Sequence, residues 1–168
     1  MKTSFLNLLA LFVISTILFS CSPEDDGVYF NENSEVINTS NVSYSVIEYE
    51  ILDLVNDHRI SLGLNPLITL NMISGVADGH TDYMIEVGSV NHDNFNLRAQ
   101  NLMNNAGAKK VGENVAYGFS SAKGVVNGWL NSPEHKSIIE NPNYTHFGIS
   151  TETNKDNRNY FTQIFIKK

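Results

Sequence analysis

Apolar residues along this chain fall into two rhythms. Ile47, Ile51, Leu54, Val55 and Leu62 recur at helical spacing, and the pattern stops at Gly63 and Pro66. This predicts a first helix over residues 45–62. A second stripe of Ile73, Val76, Ala77, His80, Met84 and Val87 ends at Gly88 and puts His80 on the buried side of its helix. The expectation there is a hydrogen-bonded core histidine without chemistry. In FNLRAQNLMNNAG, the residues Leu97, Leu102, Met103 and Ala106 mark a third helix that ends at Gly107.

The period then changes to two. In KKVGENVAYG, Val111, Glu113, Val115 and Tyr117 share one face of a strand, and Gly112, Asn114, Ala116 and Gly118 share the other. A fourth helix begins at the capping candidates Ser120 and Ser121, with Val125, Val126, Trp129 and Leu130 as its apolar side. Pro133 inside a continuous helix would cost about 3 kcal/mol. Taking Ser132 as N-cap and Pro133 as the first residue of a new helix removes that cost. Two alternating segments, residues 147–153 and 160–166, flank the turn-rich NKDNR and predict a β-hairpin.

The two ends of the chain differ in kind. Residues 1–20 carry Lys2, then an apolar stretch from Phe5 to Phe19, then Ser20 before the sole cysteine, Cys21. A membrane-spanning helix needs about 20 apolar residues, more than this run supplies, so it reads as a signal peptide. Leu18-Phe19-Ser20-Cys21 resembles a bacterial lipobox, in which cleavage before the cysteine leaves it to carry lipid. The alternative is an ordinary signal followed by an unmodified cysteine. Residues 21–43 are rich in Asn, Ser, Asp and Glu and read as a tether. Their acidic SPEDDG run resembles a surface-display segment of bacterial lipoproteins, or is plain solvated linker. The folded domain spans residues 44–168.

Composition narrows the function classes. The chain has 168 residues, 42% of them hydrophobic, enough for one compact domain with its own core. A single cysteine rules out an internal disulfide. The net charge of −7 argues against nucleic acid as a partner, because phosphate binding relies on clustered Lys and Arg. Sequons at Asn38, Asn41 and Asn143 arise by chance in an Asn-rich chain.

Candidate chemistry rests on few residues. Glu113 shares a strand face with two valines, and burying even a neutral polar group without a partner costs about 2–7 kcal/mol. His135 falls in the first turn of the restarted helix, where the helix dipole disfavours imidazolium. Neutral imidazole binds metals and accepts protons. Glu134 beside it suits simple dipole complementation. His92 sits in the polar loop VNHDNF, and His146 reads as the start of the hairpin. No local spacing such as His-Glu-x-x-His ties His92, Glu113 and His135 together.

The ordered series LVNDHRISLGLNPL, ADGHTDYM, VNHDNF, GENVAYG, VVNGWLNSPEHKSIIENPNYTHFGIS and YFTQIF resembles the bacterial branch of the CAP superfamily. Its members are also called SCP-like and include cysteine-rich secretory proteins, antigen 5 and pathogenesis-related 1 proteins. The likeness covers about residues 45–168. It implies an α+β fold, a three-layer α-β-α sandwich with a central antiparallel sheet, and a cleft lined by histidines and acids. His92 matches the first cleft histidine, Glu113 the acid of the Gly-Glu-Asn motif, and His135 the histidine of the Ser-Pro-x-His motif. A second glutamate of many eukaryotic members is replaced here by Ser132, which puts a four-residue metal site in doubt. His92, His135 and Glu113 with waters could still hold a divalent ion, zinc by preference.

Three functions follow as expectations. The first is an envelope lipoprotein, anchored to a membrane through Cys21, whose cleft binds a small molecule, lipid, glycan or peptide. The second is a metal-assisted hydrolase of the peptidase type, with Glu113 as general base. The third is a structural module whose polar cluster ties helix to sheet. A serine nucleophile has no support, since GFSSAKG departs from Gly-x-Ser-x-Gly.

Overall fold

The computed structural model describes residues 42–168. The signal segment, Cys21 and nearly all of the tether lie outside them. Among the described residues no helix is long and apolar enough to cross a membrane.

Among the described residues nine elements follow in order. They are α1 (Val46–Ser61), β1 (Ile68–Thr69), α2 (Asn71–Val87), α3 (Phe95–Ala106) and β2 (Lys110–Tyr117), then α4 (Ala122–Asn131), α5 (Pro133–Ile139), β3 (His146–Thr153) and β4 (Asn159–Lys167). The strands form one sheet in the order β1-β3-β4-β2. β3 and β4 are the expected hairpin, and β2 pairs antiparallel with β4, Glu113 opposite Ile164. β1 has no counterpart in the sequence pattern. It pairs parallel to β3, so the otherwise antiparallel sheet has one short parallel edge.

The sheet divides the core in two, as the strand alternation requires. On one face, Ile51, Leu52 and Val55 of α1 and Val125, Val126 and Trp129 of α4 pack on Phe147, Ile149, Phe161 and Phe165. On the other, Ile73, Val76 and Ala77 of α2 and Leu102 and Ala106 of α3 pack on Ile164 and Ile166. Met84, Val115 and Tyr160 extend this second core. The result is the three-layer α-β-α sandwich. The third helix is rotated from the expected phase: Ala99 is buried, while Leu97 and Met103 are exposed.

Buried polar groups fasten the layers. Glu48 accepts hydrogen bonds from the main-chain N–H and hydroxyl of Ser45, closing the start of α1, and its other oxygen accepts from Thr151 N on β3 at 2.7 Å. Arg59 is fully buried and donates to the carbonyls of Asn65, Ile139 and Asn141. It thereby caps the C-terminal end of α5 from α1. Gly148 lets α2 approach β3 closely, since a Cβ there would strike the main chain at Ser74.

Candidate ligand-binding cleft

The proline is a helix restart, as expected. Ser132 ends α4 and begins α5, and Pro133 occupies the first turn. The Ser132 side chain does not cap the helix, however. It shares a hydrogen bond of 2.8 Å with His135 Nδ1, fixing the ring. Burial, and then the nearby His92, lower the His135 pKa against an opposing effect of Glu134. The imidazole is therefore held toward its neutral form.

Glu113 is the centre of the site and is 5% exposed. Its Oε1 accepts from His92 Nδ1 at 2.8 Å and from Arg98 Nη2 at 2.7 Å, and its Oε2 accepts from Arg98 Nε at 2.8 Å. The arginine thus grips the carboxylate with two parallel bonds, the strong geometry for this pair. Arg98 also donates to the Asp93 carbonyl, which ties the His92 loop to α3. Burial would raise the Glu113 pKa, but the hydrogen bonds from His92 and Arg98 and the charges of Arg98 and His80 outweigh it and hold the carboxyl below its usual range. Glu113 is ionised.

His80 is buried as its helix phase predicts, and its Nε2 donates to the Asn91 carbonyl at 2.9 Å. It is nevertheless part of this cluster, with Nε2 only 3.8 Å from Glu113 Oε1. Burial leads the causes that lower its pKa. His146 opens β3 and shares a 2.9 Å hydrogen bond with Thr145.

Successive residues of β2 serve opposite faces of the sheet. Glu113 holds His92 on the α2–α3 side. Asn114, fully buried, donates its side-chain N–H to the His135 carbonyl on the α4–α5 side. A groove of about 380 Å³ lies along the edge of β2, lined by His92, Phe95, Gly112, Glu113, Ile138 and Tyr144 among others. His135 stands beside it and is not part of its lining. Gly112 is required there: a Cβ would collide with the Tyr144 ring and hydroxyl and crowd Ile138.

Residues 52–165 match the cysteine-rich secretory protein family, CAP. The chain belongs to this family. It is 34% identical over 124 residues to the membrane protein YlbC of Bacillus subtilis strain 168, covering 72% of this chain and 34% of YlbC. An extracellular protein containing an SCP domain from Bacillus anthracis superposes with a TM-score of 0.62 at 30% identity, covering 72% of this chain and 40% of that one. An outer surface protein of Borrelia burgdorferi gives a TM-score of 0.64 at 25% identity over 70% of this chain and 90% of its own. The chain therefore spans about a third of the length of YlbC.

Of the metal set expected from the CAP resemblance, His92 meets Glu113, but the carboxylate is turned to Arg98. Among the described residues no group of His, Cys, Asp or Glu side chains is placed to hold an ion. The reason is local: both Glu113 oxygens are engaged by Arg98, whose positive charge opposes a cation at the same place. His92 and His135 remain as nitrogen donors without the carboxylate, so zinc does not fit the three-residue set. The same grip makes Glu113 a poor general base, because three of its roughly four acceptor sites are taken and its proton affinity is depressed.

Arg98 is the residue that sequence reasoning missed. A signal was available, since a carboxylate on a buried strand face demands a cation and FNLRAQ follows the His92 loop directly. Ser132, expected as an N-cap and as the place of a missing acid, also positions His135 through its side chain.

Proposed function

We propose that this CAP domain is a ligand-binding module of the cell envelope, held to a membrane through lipid on Cys21. The named relatives support that setting: YlbC is a membrane protein, the Bacillus anthracis relative is extracellular, and the Borrelia relative is an outer surface protein. The observation that carries the binding role is how the cluster divides its work. Glu113 is fully engaged in positioning, while the His92 side chain is 50% exposed at a groove of ligand size. Its Nδ1 faces Glu113, which leaves Nε2 for a ligand. Phe95, Val111 and Ile138 supply the apolar walls. Such a groove suits a small molecule, lipid, glycan or peptide with an apolar body and a hydrogen-bonding group at His92.

Hydrogen-exchange mass spectrometry on the full chain tests this with a muropeptide, a medium-chain fatty acid and a chito-oligosaccharide as separate probes. At least one should protect the segments carrying His92, Gly112 and Ile138, and the protection should weaken in His92→Ala. If no probe protects them, and His92→Ala and His135→Ala only lower the melting temperature, the cluster is purely structural and the proposal fails.

A further inference from the structure

β2 is an edge strand, and the direction of its backbone groups follows from the register. The Gly118 N–H reaches the Asn159 carbonyl at 2.8 Å, one step beyond the pair Tyr117–Tyr160. In an antiparallel ladder hydrogen-bonded pairs alternate with non-bonded ones. Gly112, Asn114 and Ala116 therefore bond to β4, and the N–H and C=O groups of Val111, Glu113 and Val115 point away from the sheet. A separate contact agrees with this parity, because the Val115 carbonyl accepts from Trp129 Nε1 at 3.0 Å. The tryptophan closes the upper half of the edge. Among the described residues no hydrogen bond from another element reaches the outward main-chain groups of Val111 and Glu113, and the groove runs there.

The lower end of this edge is basic in an acidic chain. Lys110 lies opposite Lys167 across the ladder, and Lys109 N–H bonds the Lys167 carbonyl. With Lys168 these are four exposed lysines, in a protein whose net charge is −7. Lys110 lines the groove and sits over the Tyr144 ring, 5.8 Å from its centroid.

Outward main-chain donors and acceptors recognise another main chain, and a cluster of lysines recognises carboxylates. We propose that the edge from Lys110 to Glu113 takes one end of an extended acidic peptide as an added strand. Its backbone pairs with Val111 and Glu113, alternate side chains enter the apolar groove, and a carboxylate meets the lysines. This inference rests on the binding-cleft reading and names its ligand class. Trp129 limits the added strand to a few residues, so a peptide terminus fits better than the middle of a long strand.

The test is selection of random heptapeptides on the full chain, followed by residue-resolved hydrogen exchange with one selected peptide. The peptide should be acidic, and on binding it should protect the amides of Val111 and Glu113. Those of Gly112 and Asn114 should be protected with or without it. Val111→Pro removes an outward N–H at an edge, where proline is tolerated, and should weaken binding about tenfold, as loss of one or two main-chain hydrogen bonds does. If that variant misfolds, N-methylation of alternate peptide bonds in the ligand asks the same question and should weaken binding as much. Lys110→Glu should weaken binding about fivefold and reduce its salt dependence. A peptide that needs His92 yet leaves Val111 and Glu113 unprotected overturns the added strand and keeps the cleft reading. Recovery of no peptide, with another ligand class protecting the cleft, does the same. Protection that grows with protein concentration alone assigns the edge to a second copy of the chain and also overturns the proposal.

Discussion

Replacing Glu113 by glutamine keeps the shape of the cluster and removes its charge. The carboxylate accepts three hydrogen bonds, from His92 Nδ1, Arg98 Nε and Arg98 Nη2. Glutamine offers one acceptor oxygen, and its amide N–H₂ would face an arginine donor. The Glu113 side chain is 1% exposed and that of Arg98 11%, so solvent screens little, and the guanidinium is left without its counter-charge. Breaking such a buried pair from one side costs about 3–5 kcal/mol, a large share of the about 5–15 kcal/mol that holds a domain folded. At about 3–4 °C per kcal/mol for a domain of this size, the melting temperature should fall by roughly 10–20 °C.

Calorimetry of Glu113→Gln, Arg98→Met and the double variant separates this account from simple loss of packing. Each single change strands a partner, so the double variant should lose less than the sum, with a coupling of about 2 kcal/mol. Dependence on pH adds a second check. The folded carboxyl titrates below its usual range, so its stabilisation is complete above the unfolded value of about 4.3 and is lost as pH falls through the folded one. The gap between wild type and Glu113→Gln should therefore close in acid. A cost below about 1 kcal/mol, or a coupling below about 0.5 kcal/mol, would refute the reasoning.

Other outcomes follow from the same contacts. Gly112→Ala drives a methyl group into Tyr144 and Ile138 and should destabilise by about 1–3 kcal/mol, read by urea unfolding. His80, with its pKa lowered by burial, contributes stability that is complete above its unfolded value of about 6.5 and is lost as pH falls from there to the folded one. His80→Gln should flatten the stability profile below pH 6.5, and an unchanged slope would remove His80 from the acid response. Cys21→Ser should abolish incorporation of labelled palmitate and release the protein from the membrane fraction; retained label would show that the lipid lies elsewhere.

How much of this was legible in the sequence depended on where each residue finds its partner. Helix starts and stops written in local chemistry, such as Gly88, Gly107 and the Ser132–Pro133 restart, fell where expected. The face of Glu113 was readable from alternation alone. That it needed a cation was readable too, but which one was not, because Arg98 comes from α3 and only the fold brings it within reach. β1 escaped because Ile68 and Thr69 are both exposed and join the sheet through their backbone, leaving no apolar alternation to read. The phase of α3 differs for a related reason: Leu97 and Met103 look like core residues, yet the helix turns Ala99, Leu102 and Ala106 inward. Zinc was an expectation that came with the CAP resemblance, and the arginine beside the acid, not among the residues matched to the family, changes the site's chemistry.

Arg59 carries a consequence for how the cleft is built. Its guanidinium leaves α1 and ends on the last carbonyls of α5, the helix that presents His135 at its other end. This groove-lining helix is thus mounted on the first helix of the domain, while the His92 loop is mounted on α3 through Arg98. The two walls of the groove answer to separate foundations on opposite faces of the sheet and meet at β2. A molecule that grips both walls would splint them, and its binding should appear as lost independence of their opening rates rather than as a visible change of shape.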